Sequence, residues 1–335
     1  MYKLKTKLHE RQRQYKAGNL QTLIVDVTNK CNMHCQFCYA EPFAKSKPVE
    51  LEILKKALDE AYDMGVFHYT LMGGEPFADY ERLKKIITML HPDETYINIV
   101  SNGWMLTSEK VEELRELGVD KITFSLDSGI EDEHDRNRMP GSYKRVLEAI
   151  DMVTESGLLS AISTVVTHES LYSEGFQKAY QIAKEKGIRF EVQIAEPVGK
   201  WDGNRECLIT KEDADYIYKL YQDSPIMDNG QIMVKRDLYR GHSDQGGKVC
   251  CPAGKEFMSI TADGNFLPCN FIQASLGNIK DKSLREMRND LLKSKWFCNE
   301  YPYCILGECD EYFDEVVMKY KDEEKPLDAY KVFDL

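Results

Sequence analysis

The sequence contains no long hydrophobic run and no excess of basic charge. None of its apolar segments approaches the ~18 residues that a membrane-spanning helix needs, so we expect no membrane association. The N-terminal charges are not followed by an apolar segment, which is unlike a secretory signal peptide. With 44 Lys and Arg against 56 Asp and Glu, the net charge of −12 argues against bulk electrostatic binding to nucleic acid. These absences predict a cytoplasmic protein with no nucleic-acid or membrane partner.

Cysteine, by contrast, is plentiful and unevenly distributed along the chain. Three of the ten cysteines lie between residues 31 and 38, six lie between residues 250 and 309, and Cys207 stands alone. In a reducing compartment, grouped thiols indicate metal binding or redox chemistry rather than disulfides. The sequence therefore predicts two separate cysteine-based sites.

Residues 20–200 repeat a pattern in which a short apolar run precedes a segment with helical periodicity. The runs are rich in β-branched and aromatic residues, as buried parallel strands are, and they cover residues 22–27, 67–72, 97–101, 121–126, 160–166 and 189–194. Eight such units would close a TIM barrel, whereas six predict an α/β fold with a partial, open-sided (β/α)6 barrel of the TIM type.

The pattern also divides the chain into five segments. We predict a basic N-terminal arm at 1–19, the partial barrel at 20–200, a connecting helical segment at 201–244, a small cysteine-rich domain at 245–310 and a C-terminal tail at 311–335. The tail is mostly charged and contains no low-complexity tract.

Chemically distinctive residues follow the predicted strands at their carboxyl ends, where the active site of a parallel barrel forms. Strand one is followed by Cys31, Cys35 and Cys38, and strand two by the sequence GGEP at 73–76. Strand three ends in SNG at 101–103, strand four ends in SLDS at 125–128, and strand six leads to Gln193 and Glu196. The convergence of five loops predicts one site at the barrel mouth.

The first cysteines have the spacing C-x3-C-x2-C, which leaves a four-ligand site one thiol short. Three thiolates can bind three irons of a [4Fe–4S] cluster, which usually takes four cysteines, and leave the fourth iron open to another ligand. The alternative is a structural zinc site completed by His34. His34 lies between two of the thiols on a tight loop, where it is poorly placed to complete a tetrahedron.

This spacing after the first strand, with Phe37 before the third cysteine, resembles the radical S-adenosylmethionine (SAM) enzymes. The resemblance implies that the open iron binds the amino and carboxylate groups of SAM. It also implies that an electron from the reduced cluster cleaves SAM to a 5′-deoxyadenosyl radical, which abstracts a hydrogen from the substrate. A flavodoxin- or ferredoxin-type electron donor would be the partner.

The same resemblance implies which residues contact SAM. Glu75 would face the ammonium group, and Arg138, in the segment HDRNRMPGS, would bind the carboxylate through its planar fork. The predicted set comprises Phe37, Tyr39, Gly73, Gly74, Glu75, Pro76, Ser101, Asn102, Ser125, Arg138 and Gln193. A surface ion pair is the alternative for Arg138. Asp127 is either a catalytic acid or base or the N-cap of a helix.

The second group of cysteines resembles the SPASM/twitch extensions of radical SAM proteins, which bind auxiliary iron–sulfur clusters. The resemblance rests on Cys251-x12-Gly264-x4-Cys269, on Cys298-x5-Cys304-x4-Cys309 and on LGNI at 276–279. Seven cysteines remain outside the first motif, too few for two clusters with four thiolates each. We therefore predict one auxiliary [4Fe–4S] cluster on Cys251, Cys269, Cys304 and Cys309, with Cys298 possible in place of Cys304.

Two alternatives for the second group stay open: a structural zinc site, and a second auxiliary cluster with an incomplete cysteine set. The chain also departs from the family pattern. The x4 gap before Cys309 is one residue longer than usual, and Lys295 stands where a further cysteine is usual. Asn270 follows Cys269 where sulfatase-maturing members carry an aspartate base, so we do not expect that activity.

Together these features predict a radical SAM oxidoreductase that oxidises or cross-links a peptide, with the auxiliary cluster accepting an electron. Only about twenty residues precede the barrel, which leaves no room for the leader-binding domain that many peptide-modifying relatives carry. A small-molecule dehydrogenase acting on a sugar or aminocyclitol alcohol is the alternative. A non-catalytic iron–sulfur redox protein is the alternative from another class, although it would need neither GGEP nor Arg138.

Overall fold

The computed structural model describes residues 19–228, 231–236 and 250–335. The predicted basic arm at 1–19 therefore lies almost entirely outside the described residues, as do parts of the segments predicted at 201–244 and 245–310. Within the described ranges, no helix is both long and apolar enough to cross a membrane.

Six parallel strands, each followed by helical structure, form the framework. They are β1 (Thr22–Thr28), β2 (His68–Gly73), β3 (Tyr96–Ser101), β4 (Lys121–Ser125), β5 (Leu159–Val166) and β6 (Arg189–Ile194). Each strand pairs in parallel with the next one along the chain. The prediction of an α/β fold with a partial (β/α)6 barrel is confirmed.

The helices of the barrel lie between successive strands. They are α1 (Leu51–Asp63), α2 (Tyr80–Met89), α3 (Ser108–Glu116), α4 (Glu131–Asn137), α5 (Ser142–Glu155), α6 (His168–Leu171), α7 (Glu174–Glu185) and α8 (Lys211–Gln222). Short 3-10 turns cover Glu41–Phe43, Pro76–Asp79, Gly199–Trp201 and Arg205–Cys207. Polar caps begin several helices; the Thr107 side chain, for example, accepts a hydrogen bond from the Lys110 amide.

The strands of the barrel have one apolar face and one largely polar face. In β1, the side chains of Leu23, Val25 and Val27 are buried in the core that the helices cover. The alternate positions of β2 to β6 line an internal cavity with Thr70, Asn98, Thr123, Ser163, Glu191 and other polar side chains. The lumen of a TIM barrel is usually filled by Val, Ile and Leu, so this partial barrel is unusual in having a hollow, polar interior.

Further strands extend both edges of the sheet. β7 (Val234–Lys235) pairs with β6, while β8 (Phe257–Ile260) pairs in parallel with β1 and in antiparallel with β9 (Phe266–Leu267). The chain segment that carries the second cysteine group is therefore hydrogen-bonded directly to the first barrel strand. This pairing brings it close to the loop that follows β1.

The C-terminal region folds against the barrel and is not a free tail. It contains α9 (Leu284–Leu291), α10 (Lys295–Cys298), α11 (Asp310–Tyr312), a π-helical turn (Phe313–Val317), α12 (Met318–Tyr320) and α13 (Ala329–Phe333). β10 (Ala274–Ser275) pairs with β11 (Leu327–Asp328). Buried apolar side chains recur at helical spacing at 312, 313, 316, 317 and 320. The charged residues from which we predicted a tail therefore lie on the outer face of this packed helical segment.

Candidate active site

The lumen and mouth of the barrel form one continuous cavity of about 1140 Å³. Its lining includes the thiol-bearing residues Cys31, Cys35 and Cys38 of the first loop and Cys251, Cys269 and Cys304 of the second group. Of the predicted SAM contacts, it includes Phe37, Tyr39, Gly73, Gly74, Glu75, Ser101, Asn102, Ser125, Arg138 and Gln193. Pro76 is buried at the start of a 3-10 turn and does not line the cavity.

The two glycines of GGEP let the cysteine loop pack closely against the end of β2. A Cβ atom on Gly73 would lie 2.5 Å from the Thr28 carbonyl oxygen, and one on Gly74 would lie 2.3 Å from that of Lys30. Gly73 also has a φ of +125°, which favours glycine. The amides of Gly74 and Glu75 donate to the same two carbonyls at 2.8 Å. The chain's own packing therefore requires glycine here, independently of any ligand.

Two further loops hold the cysteine loop in place from the other side. The Gln36 amide donates to the Asn137 carbonyl at 3.0 Å, in the segment that leads to Arg138. Lys200 donates from Nζ to the Cys35 carbonyl at 2.6 Å and from its backbone amide to the Cys38 carbonyl at 3.2 Å. The positions of the three thiols are thus fixed by segments that follow β2, β4 and β6.

Glu75 lies at the centre of a buried hydrogen-bond network. Its Oε1 accepts from Ser101 Oγ at 2.8 Å and from the Phe77 amide at 3.2 Å, and its Oε2 accepts from the Asn102 amide at 2.9 Å. Burial raises the pKa of this carboxyl group, while these hydrogen bonds partly offset the effect. Three of the predicted SAM contacts therefore form a single preorganised unit, and a carboxylate has lone pairs left for a further donor.

Arg138 forms a buried, two-point ion pair with Asp127. Arg138 Nε lies 2.5 Å from Asp127 Oδ2, and Nη2 lies 3.1 Å from Oδ1. His134 accepts from the Asp127 amide at 3.3 Å. Asp135 accepts from the amides of Gly141 and Tyr143. These contacts fold the HDRNRMPGS segment so that Arg138 points towards the cavity.

The same arginine faces the first cysteine loop. Arg138 Nη1 lies 3.8 Å from Cys35 Sγ, and the guanidinium lies 5.3 Å from the centroid of the Phe37 ring. Since the Arg138 and Asp127 side chains are only 10% and 4% exposed, the surface-ion-pair alternative is wrong. The N-cap alternative for Asp127 is also wrong, because the residue before α4 is Ile130 and has no side-chain cap. A catalytic role for Asp127 stays a prediction.

Four cysteines of the second group lie near a buried tyrosine, Tyr312. Burial raises the pKa of Tyr312, and the neighbouring thiols of Cys269, Cys251, Cys304 and Cys309 raise it further. The thiols of Cys251 and Cys304 are hydrogen-bonded to each other, which lowers the pKa of Cys251. Four cysteines from three separate segments therefore lie near this tyrosine.

The remaining cysteines lie apart from this group or have other contacts. Cys298 is exposed, and its thiol donates to the Lys295 carbonyl at 3.7 Å. Cys207 is buried and its thiol donates to the Asn204 carbonyl at 3.0 Å. Cys250 is partly buried and does not line the cavity, unlike its neighbour Cys251.

Acidic side chains around Cys304 are functional candidates that the motif analysis did not assign. Cys304 Sγ lies 3.4 Å from Glu196 Oε1, while Glu196 Oε2 has no hydrogen-bond partner among the described residues. Glu308 accepts from the Cys304 amide at 2.7 Å and forms a buried ion pair with Arg236 at 2.5 Å. Two sequence signals were present: Glu196 follows strand six, and Glu308 lies between the motif cysteines Cys304 and Cys309. Arg236 belongs to no motif.

The two thiol sets fit iron–sulfur clusters in the chemistry of their donors. All ten cysteines are free thiols, and six of them line the cavity. Glu75, with its hydrogen-bond network, and Arg138 line the same cavity. Across the described ranges, no three His, Cys, Asp or Glu side chains are grouped as one metal ion would require. Thiolates are the usual ligands of the larger [4Fe–4S] cluster.

Two family models match the chain. Residues 25–183 match the radical SAM superfamily, and residues 250–310 match the SPASM iron–sulfur cluster-binding domain. Among curated proteins, the AdoMet-dependent heme synthase of Methanosarcina barkeri is 26% identical over 78% of this chain and 80% of its own length. The PqqA peptide cyclase of Gluconobacter oxydans is 24% identical over 80% of this chain and 76% of its own length.

Solved structures show the same fold. Streptococcus suis SuiB bound to its precursor peptide SuiA superimposes with a TM-score of 0.65 at 17% identity, covering 99% of this chain and 80% of that one. The protein anSMEcpe with bound AdoMet and a peptide gives a TM-score of 0.62 at 18% identity, covering 93% and 95%. Because both domain models match in this order, the chain belongs to the radical SAM superfamily, carries a C-terminal SPASM domain, and has SAM and iron–sulfur clusters as its cofactors.

Proposed function

We propose that this protein is a radical SAM oxidoreductase that oxidises or cross-links a peptide in the cytoplasm. The observation that carries the proposal is that the first cysteine group and Cys251, Cys269 and Cys304 of the second line one cavity together with the Glu75 network and Arg138. Cys31, Cys35 and Cys38 would hold the SAM-binding [4Fe–4S] cluster. Cys251, Cys269, Cys304 and Cys309 would hold a single auxiliary [4Fe–4S] cluster.

When bound, SAM and the first cluster supply hydrogen-atom abstraction, and the auxiliary cluster supplies an acceptor for the electron left on the substrate. The chain's own residues hold and orient these groups. Ser101 and the Asn102 amide fix the Glu75 carboxylate, which is then ready to accept from an ammonium group. Asp127 fixes the plane of Arg138 and leaves Nη1 directed at the cysteine loop.

A peptide substrate is supported by the relatives and by the size of the cavity. PqqA peptide cyclases are among the similar curated proteins, and the SuiB structure contains a precursor peptide. Sites for one small ligand usually enclose about 300–1,000 Å³, and the cavity of about 1140 Å³ exceeds this range, as expected of a site that holds cluster atoms, SAM and part of a substrate. A flavodoxin- or ferredoxin-type protein would donate the electron that starts the reaction.

The test is SAM cleavage by the anaerobically reconstituted full-length protein. With dithionite and SAM, we expect 5′-deoxyadenosine, measured by liquid chromatography and mass spectrometry. A candidate peptide should lose two hydrogens for each oxidation. Intact SAM in the presence of fully loaded clusters would favour the non-catalytic iron–sulfur protein. Turnover of a sugar or aminocyclitol alcohol, with no peptide modified, would favour the small-molecule dehydrogenase.

A further inference from the structure

The 3-10 turn that follows β6 packs against the first cysteine loop with three consecutive residues. Gly199 has a φ of +61°, and a Cβ atom there would lie 2.2 Å from the Cys38 carbonyl oxygen. Lys200 donates from its backbone amide to the same oxygen at 3.2 Å. The centroid of the Trp201 ring lies 5.4 Å from that of the Phe37 ring. We call Gly199, Lys200 and Trp201 the clamp turn.

The clamp turn is itself fixed from both sides. The Trp201 amide donates to the Val198 carbonyl at 3.1 Å, and the Asn204 amide donates to the Trp201 carbonyl at 2.8 Å. The next residue, Asp202, pairs with Lys325 of the C-terminal region at 3.3 Å, and the Lys325 side chain is only 10% exposed. The barrel and the C-terminal region therefore both restrict movement of the turn.

The side chain of Lys200 brings a positive charge to the cysteine loop. Its Nζ donates to the Cys35 carbonyl at 2.6 Å and to the His34 carbonyl at 3.4 Å. Burial raises the pKa of Cys38, and the charge of Lys200 is among the effects that lower it. The ammonium group is therefore close enough to act on the thiols, although its hydrogen bonds are to backbone carbonyls.

No carboxylate of a described residue lies within ion-pair distance of Lys200 Nζ, whose hydrogen bonds go to the cysteine loop. Arg138, which also faces these thiols, is paired with Asp127. Glu41 and Glu75 line the same cavity, and the Glu75 carboxyl group is hydrogen-bonded within its own network. The Lys200 charge therefore has no carboxylate in direct contact. Because Lys200 is exposed, its effect on the thiols is modest.

We propose that Lys200 is a positioning residue for the first cluster: its hydrogen bonds fix the cysteine loop, and its charge makes the cluster easier to reduce. This inference rests on the proposed function only in assigning a [4Fe–4S] cluster to Cys31, Cys35 and Cys38. Reduction transfers one electron from the donor, dithionite in the test, and so adds one negative charge to the cluster. A nearby cation stabilises that added charge.

Three substitutions of Lys200 separate the hydrogen bonds from the charge. Lys200→Arg keeps a donor and the charge, Lys200→Gln keeps a donor without the charge, and Lys200→Met keeps neither. Lys184→Gln, on the exposed surface of α7, is the matched control. Each anaerobically reconstituted full-length protein is titrated with dithionite and followed by electron paramagnetic resonance, in which the first cluster is identified by the response of its signal to SAM. Hydrogen exchange of residues 31–39 is measured in parallel.

At the midpoint potential of the wild type, we expect the ratio of reduced to oxidised first cluster to fall about threefold or more in Lys200→Gln and Lys200→Met. Lys200→Arg should stay within about twofold of the wild type, because it keeps the charge. Hydrogen exchange in residues 31–39 should become about tenfold faster in Lys200→Met, which loses the side-chain hydrogen bonds, and change less in Lys200→Gln. Lys184→Gln should match the wild type in both measurements.

Equal reduction of the first cluster in the wild type and Lys200→Gln would overturn the role of the charge, as would a shift in Lys200→Arg as large as that in Lys200→Gln. Unchanged hydrogen exchange in Lys200→Met would overturn the positioning role. If Lys200→Met takes up no cluster, the exchange is compared between cluster-free proteins, in which these hydrogen bonds are already present. Neither measurement involves turnover, so a failure of SAM cleavage with the expected shifts would contradict the proposed function alone.

Discussion

The two cysteine groups of this chain are built in different ways. Cys31, Cys35 and Cys38 lie within eight residues on one loop that follows β1, and the loop is held by neighbouring backbone segments. Cys251, Cys269, Cys304 and Cys309 of the second group come from three separate segments and lie near the buried Tyr312. Local spacing therefore defines the first site, whereas tertiary packing defines the second.

The charges around the two groups also differ. Arg138 directs a guanidinium nitrogen at Cys35, while Glu196 directs a carboxyl oxygen at Cys304. Each site also contains a buried arginine–carboxylate pair, Arg138–Asp127 at the first and Arg236–Glu308 at the second. A nearby positive charge favours the reduced, more negative state of a cluster. We therefore expect Arg138 to favour reduction of a cluster held by Cys31, Cys35 and Cys38, where the proposed chemistry would begin.

Replacing Cys31, Cys35 and Cys38 together by Ala tests the comparison most severely. We expect complete loss of 5′-deoxyadenosine formation, because the open-iron site loses every protein ligand. The second group should still bind about four irons, visible as an iron–sulfur absorption band. Cys207→Ala, which removes an isolated thiol, is the control. Continued SAM cleavage by the triple variant would contradict the assignment.

The second group is tested by the matched variants Cys304→Ala and Cys298→Ala. The wild type should bind about eight irons, and Cys304→Ala should fall towards about four because it lacks a ligand of the auxiliary cluster. Cys298→Ala should keep about eight, since its thiol lies on the surface. Iron and sulfide analysis of the reconstituted wild type and of both variants measures these contents. About twelve irons in the wild type would indicate a second auxiliary cluster, and about four would remove the auxiliary cluster altogether.

Arg138→Ala tests the charge at the first site. If Arg138 binds the SAM carboxylate, its loss should cost on the order of 2–5 kcal/mol, or about 30- to 4000-fold in SAM affinity. Glu75→Ala should weaken binding by a similar factor, because it removes the partner of the ammonium group. Arg115→Ala, which removes an exposed arginine paired with Glu112, is the control. An unchanged SAM dissociation constant for Arg138→Ala would refute the role.

Arg236→Met tests the corresponding ion pair at the second site. It leaves Glu308 buried without its cation, so we expect a loss of about 3–5 kcal/mol in folding stability, measured by chemical denaturation. SAM affinity should not change, since the pair lies beside Cys304. The double variant Arg236→Met/Glu308→Gln should recover part of the stability. A single variant as stable as the wild type would show that the pair does not support the second site.

The prediction with the smallest expected effect concerns Asp26, which lies where β1 pairs with β8. Burial and, to a smaller extent, the nearby Asp263 raise the pKa of this carboxyl group to about 7. Between pH 5 and pH 7 the folded state keeps this proton while the unfolded state has lost it. Stability should therefore fall with rising pH, by about 2–3 kcal/mol for this group. Asp26→Asn should flatten that fall in denaturation curves; an unchanged slope would contradict the assignment.

The sequence was sufficient for the barrel strands and for the cysteine loop because both depend on local pattern. It did not predict that residues 311–335 are folded, since surface charges obscured the apolar spacing around Tyr312 and Tyr320. The ion pair of Arg236 with Glu308 joins positions 72 residues apart, and that of Arg138 with Asp127 joins positions 11 residues apart. Neither spacing is a pattern from which the pairing could be read. A signal for the polar lumen was present: Lys121, Thr123 and Ser125 alternate with apolar residues along β4.

The most direct test of two distinct cluster sites is electron paramagnetic resonance of the reduced protein with and without SAM. We predict that SAM changes the signal of one cluster and leaves the other unaltered, because only the three-cysteine site has an iron open to it. The Cys31/Cys35/Cys38→Ala variant should retain a single signal that does not respond to SAM. A SAM-dependent change in that variant, or no change in the wild type, would contradict the account.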